Sequence, residues 1–175
     1  SVFSEELSKS VDGVQANIKT LGDAMSKLSD GTLEANDVID LIQQFPELAE
    51  YVDLTAEGFG NLDDGLRKVI ADSPTELIET LQGLKETNNL TEEAANQIDV
   101  LCDALESMPD AAIKDISGEF GLVAEAINNA NKALSDLDKA LAGDDYDAGY
   151  DARVKHLETF KETIENGEYG SKAYS

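Results

Sequence analysis

Residues 4–29 read SEELSKSVDGVQANIKTLGDAMSKLS, and within them Leu7, Val11, Val14, Ile18, Leu21, Met25 and Leu28 recur in alternating steps of four and three. That spacing returns an apolar side chain to the same side of an α-helix on every turn, and a sustained heptad of this kind favours supercoiling against another helix. The stretch is predicted to be one long, coiled-coil-like helix, about 39 Å in length at ~1.5 Å per residue. Gly13 and Gly22 weaken it locally, and Ser29-Asp30-Gly31 ends it. The pattern alone leaves open whether its partner lies within the chain or is another copy.

The rest of the chain agrees with a helical reading. Of 175 residues 41% are hydrophobic but only 6% aromatic, with no Trp and three Pro, so a core must be built from Leu, Ile, Val and Ala. Strand-like alternation of β-branched residues is almost absent, and the fold class is read as all-α. The predicted architecture is a helical bundle or short helical array of about seven to nine helices, estimated from the periodic segments and their breaks.

A composite unit occurs twice. The first copy runs from Ile39 through Phe45-Pro46, Asp53-Leu54-Thr55 and Glu57-Gly58-Phe59-Gly60 to Leu66. The second runs from Cys102 through Met108-Pro109, Asp115-Ile116-Ser117 and Glu119-Phe120-Gly121 to Ile127. Each reads as a helix, a proline break, a short helix, an acidic loop with Phe-Gly, and another helix. Such self-similarity points to stacked helical units, although the register slips by two residues across the loop. In the first copy a helix begins near Glu34 and stops at Phe45-Pro46, because the residue before proline is pushed out of the helical region. Pro46 suits the first turn of the next short helix. Asp53-Leu54-Thr55 then leads into a helix expected to continue to about Ile70. A further helix is expected over 74–87, then a loop in which Thr91 caps the acidic turn Glu92-Glu93. The last helix of the second copy is placed at about 119–142. Gly143-Asp144-Asp145-Tyr146-Asp147-Ala148-Gly149 is a break, followed by a helix at about 150–166. Three regions follow: a coiled-coil-like helix over 1–29, a helical repeat-like region over 30–142, and a truncated C-terminal helical segment over 143–175.

The charge excludes some partners. With 37 acidic against 13 basic residues the formal net charge is −24. A surface of that sign repels phosphate backbones and anionic headgroups, so neither direct nucleic-acid contact nor membrane-surface binding is expected. Solubility of a helical protein accounts for the charge, with a basic partner as the sharper alternative. No apolar run approaches the length of a transmembrane helix and no leader is visible. The chain begins with Ser, as a piece of a longer chain would.

Few residues invite chemistry. Asp53, Thr55, Glu57, Asn61 and Asp64 supply oxygens at positions one, three, five, nine and twelve of a loop with Gly58 at six, in the manner of an EF-hand. Gly60 at position eight and the short Asp at twelve depart from that pattern, and an acidic capped turn is the stronger reading. Calcium nevertheless defines one alternative function, a calcium-responsive helical binding module; a secreted helical interaction module is another. Asp144, Asp145, Asp147 and Asp151 flank a helix start, where negative charge is favourable without a ligand. His156 has Ala152, Arg153, Thr159 and Phe160 at helical spacing, so no zinc site can be assembled. Cys102 is the single cysteine and lies in line with Ile98, Leu101, Leu105 and Met108, as a buried small hydrophobe does. No enzyme signature is present, and no catalytic, cofactor or metal residue is assigned.

Three stretches carry a family resemblance: Asp30-Gly31-Thr32-Leu33 through Phe45-Pro46-Glu47-Leu48, Tyr51-Val52-Asp53-Leu54-Thr55 through Leu66-Arg67-Lys68, and Gly167-Glu168-Tyr169-Gly170-Ser171-Lys172-Ala173-Tyr174. They resemble the middle of the long tape measure proteins of tailed bacteriophages and prophages of Gram-positive bacteria. The resemblance spans about residues 30–175. It implies a structural segment of a largely helical chain that occupies the tail tube and helps set its length during virion assembly. The implied partners are tube subunits and tail assembly chaperones, or the chain itself through helix packing. The implied location is the virion tail, and the bacterial cytoplasm during assembly. Some tape measure proteins carry peptidoglycan-cleaving domains; none of that pattern is matched here.

Overall fold

The computed structural model describes residues 2–142, except 88, 117, 119 and 120, with side chains from residue 5 onward other than that of Thr87. The acidic break, the 150–166 helix, His156 and the last of the resembling stretches lie outside the described residues. Within them the chain forms six α-helices and one 3₁₀ helix: α1 (Val2–Asp30), α2 (Ala35–Gln44), the 3₁₀ helix (Pro46–Tyr51), α3 (Leu62–Asp72), α4 (Thr75–Thr87), α5 (Glu92–Ile116) and α6 (Leu122–Ala142). Among the described residues there is no strand, only an isolated antiparallel bridge between Val52 and Gly60.

α1 is the long helix that the heptads require, and its partners are in the chain. It packs against α3, α5 and α6. Leu7, Val11, Val14, Ile18, Leu21 and Met25 are all buried, with Leu28 packed at the margin. The buried arc is wider than the seam, since Ser10, Gly13, Asn17 and Ala24 are buried too. A helix enclosed on several sides occupies the middle of a bundle, where a two-stranded seam would leave those flanking positions wet. Gly31, at φ +75°, closes α1, with the Thr32 N–H donating to the Lys27 carbonyl at 2.9 Å.

The two prolines of the repeated unit behave differently. Phe45 leaves the helical region at φ −127° and ψ 80°, α2 stops, and Pro46 opens the 3₁₀ helix as expected. Breaking there lets both Phe45 and Leu48 reach the core. The break expected at Met108-Pro109 does not occur: α5 runs through Pro109 as a single helix of 25 residues. Continuity keeps Met108, Pro109, Ala111 and Ala112 buried, and α5 against α6 is the most extensive helix pairing among the described residues. Ala126, Ala130, Ala133 and Ala140 line the buried side of α6, and small side chains of this kind let two helix axes approach closely. That burial along the pair offsets the hydrogen bond that an interior proline removes.

The stretch after Asp53 also departs from the expected helix. No helix starts there; α3 begins at Leu62, and residues 52–60 form a closed loop. Gly58, Phe59 and Gly60 all have positive φ, at 84°, 63° and 68°, which is incompatible with continuing a right-handed helix. Elsewhere the expected elements appear with shifts of a few residues. α4 follows Ser73-Pro74, and the Thr91 hydroxyl accepts the Ala94 N–H at 3.1 Å to cap α5. α6 begins after Gly121, at φ 90°.

Candidate functional site

The loop 52–60 is the most site-like feature the sequence singled out. It is pinned at its base by the Asn61 N–H donating to the Tyr51 carbonyl at 2.9 Å and the Asp53 N–H to the Phe59 carbonyl at 3.3 Å. Inside, the Asp53 carboxylate accepts the Thr55 hydroxyl at 2.7 Å and the Thr55 N–H at 3.0 Å. These donors hold the Asp53 carboxyl below its ordinary pKa, the hydroxyl contributing most. The oxygens proposed for positions one and three of a calcium loop are therefore bonded to each other, in an Asx turn. Asp63, one residue before the proposed twelfth ligand, is engaged by Arg67 at 2.8 Å. Among the described residues no group of three or more His, Cys, Asp or Glu is placed to hold a metal ion.

The corresponding acid of the second unit has a different use. Asp115, in the last turn of α5, accepts the N–H groups of Leu122 and Val123 at 3.0 and 3.1 Å. One carboxylate thus satisfies two free donors at the start of α6 and places a negative charge at its positive end. Sequence reading missed this cap, because the usual signature puts the capping side chain next to the helix it caps.

Cys102 is buried, and burial pushes its thiol up to about 11, a value at which the nucleophilic thiolate is scarce. Nearby, Lys85 donates to Asp99 at 2.7 Å and Gln82 donates to the same oxygen at 3.3 Å, clamping α4 to α5. The hydrogen bond from Lys85 lowers the Asp99 pKa, and its acceptance by Asp99 raises that of Lys85. A shallow groove of about 360 Å³ lies between α5 and α6, floored by Ala104 and Ala133 and edged by Val100, Asp103, Lys132 and Asp136. Lys132 is bonded to Asp136 at 3.3 Å across one helical turn. The groove is open and carries no convergent set of reactive groups.

The heptad residues named from sequence are brought together, as the central seam of the core. Gln15 and Asn17 of α1 were not singled out, yet Gln15 Nε2 and Asn17 Oδ1 are buried without a hydrogen-bond partner. The signal available was polarity at positions flanking the seam. Among the described residues no helix is long and apolar enough to cross a membrane. Compared with family models, curated proteins and solved structures, the chain matches none of them.

Proposed function

We propose that this chain is a structural segment of a phage tail tape measure protein, acting by occupied length and helix–helix contact. The reading is carried by the likeness of stretches 30–48, 51–68 and 167–174 to the middle of those proteins. It is supported by an all-α array whose buried apolar residues, Leu7 to Met25 of α1 foremost, serve helix packing. In this role the segment works in the virion tail, and in the bacterial cytoplasm during assembly, with tube subunits, assembly chaperones or further copies as partners. The strongly acidic composition suits a protein that leaves the tube when DNA is delivered, without adhering to it.

The test is an in-frame deletion of the segment, with tail length measured by electron microscopy. In continuous helix 175 residues span about 260 Å at ~1.5 Å per residue, which sets the largest shortening expected. Tails of unchanged length refute the proposal.

A further inference from the structure

We infer that α1 is a keystone whose release lets the bundle part into two halves, one made of α2, the 3₁₀ helix and α3, the other of α4, α5 and α6. The inference rests on packing and stands independently of the tail reading. α1 touches α3 in the first half and both α5 and α6 in the second, whereas α3 meets α4 and α5 only sparingly. Remove α1, and the halves keep the short 72–75 connection and the modest contacts of α3 with α4 and α5.

The keystone is also where the core is least satisfied. The two buried polar residues among the described core, Ser10 and Asn17, are both on α1. Ser10 is content within its own helix, donating to the Glu6 carbonyl at 3.1 Å. Asn17 and Gln15 are not: each leaves an amide atom buried and unpaired, and among the described residues the only other such atom is the Ser73 hydroxyl. α5 and α6 have none among the described residues. An unpaired buried amide is disfavoured and regains its hydrogen bonds in water, so opening α1 relieves both. Six apolar seam residues lose burial in the same step, which keeps the open state a minor one. Gly31 supplies the joint, with positive φ and no neighbour within 4 Å of the position its Cβ would take. The order of opening follows: α1 and α3 part first, and the alanine-packed α5–α6 pair persists.

Hydrogen exchange of the full chain, read by mass spectrometry in increasing denaturant, tests this. Amides of α1 and α3 are expected to exchange at least tenfold faster than those in the middle of α5 and α6, with a weaker denaturant dependence. Asn17→Leu is expected to slow α1 and α3 by about tenfold, the effect of removing a stranded amide. Gln15→Leu, at a half-buried position, slows them less and serves if the first variant does not fold. The inference is overturned if α1 exchanges no faster than α5 and α6, if α3 stays as protected as α5 while α1 opens, or if neither variant slows α1.

Discussion

Pro46 and Pro109 occupy matched places in the sequence, and the structure requires that replacing them by alanine has different consequences. Pro109 sits inside α5, where it lacks the N–H that would bond the Leu105 carbonyl. An interior proline disfavours a helix by about 3 kcal/mol relative to alanine. Pro109 is buried, so Pro109→Ala also removes two methylenes from the packed interior, worth roughly 0.8 kcal/mol each. The difference leaves a net stabilisation of about 1 kcal/mol. Pro46 is exposed at the first position of the 3₁₀ helix, where its missing N–H costs nothing. There Pro46→Ala frees the unfolded chain and destabilises by about 0.4–1 kcal/mol. Urea unfolding followed by far-ultraviolet circular dichroism reads both, with Pro109→Ala raising the midpoint of the transition that melts α5 and α6. If both variants lower the midpoint, Pro109 is a helix break like Pro46, and the description of α5 as one helix is wrong.

Three further substitutions probe single contacts. Asp115→Ala strips two N–H groups at the start of α6 of their acceptor and is expected to cost about 1–2 kcal/mol, with faster exchange confined to the first turn of α6. Gly65→Ala places a Cβ 2.8 Å from Tyr51 Cγ, so it destabilises by about 1–3 kcal/mol despite the better helix propensity of alanine; combined with Tyr51→Ala, the same change should stabilise. Asp99→Asn removes the clamp to Lys85, and because both side chains are partly exposed the loss is small. Its pH dependence is the sharper readout: the folded pKa of Asp99 is lowered, so its contribution is complete above the ordinary carboxylate pKa and fades as pH falls through the folded value. Thermal midpoints of wild type and variant should converge in acid.

Local, repetitive physics was legible in the sequence, and long-range choices were not. The α1 seam, the stop at Phe45-Pro46, the Thr91 cap and the burial of Cys102 all follow from side chains within a turn or two of one another. Pro109 escaped because a penalty confined to one residue is offset by packing against α6, a helix that begins 13 residues later. The loop after Asp53 escaped because Phe59 adopts a left-handed conformation that its own residue type disfavours. Its Gly-Phe-Gly setting carried that information, but Asp53-Leu54-Thr55 just before it also reads as the cap of a helix. The calcium pattern shows the converse, a spacing that matches on paper while Asp53 and Thr55 are bonded to each other. As for α1, the heptad announced a partner without giving its address, and only the burial of Ser10, Asn17 and Ala24 beside the seam places the helix in the middle of a bundle.

Charge and keystone together make a last prediction. Between Lys27 and Arg67 there is no basic residue, while Asp30, Glu34, Asp37, Asp40, Glu47, Glu50, Asp53, Glu57, Asp63 and Asp64 are all acidic. That stretch contains most of the first half, and the second half is acidic as well, so the halves repel and repulsion favours their parting. Salt acts on two opposed terms. It weakens the exposed ion pairs Arg67–Asp63, Lys68–Asp72, Lys114–Asp110 and Lys132–Asp136, each worth about 0–1 kcal/mol. All four lie within single helices, so they oppose helix fraying but not the separation of the halves. It also screens the repulsion between halves, which does oppose closure. Raising salt from about 0.01 M to about 0.1 M shortens the screening length from about 30 Å to about 10 Å, on the scale of the bundle itself. Exchange of α1 should therefore slow as salt rises over that range, while the last turns of α5, which hold the Lys114–Asp110 pair, change little or exchange faster. If added salt leaves the exchange of α1 unchanged or speeds it, repulsion between the halves does not drive the opening.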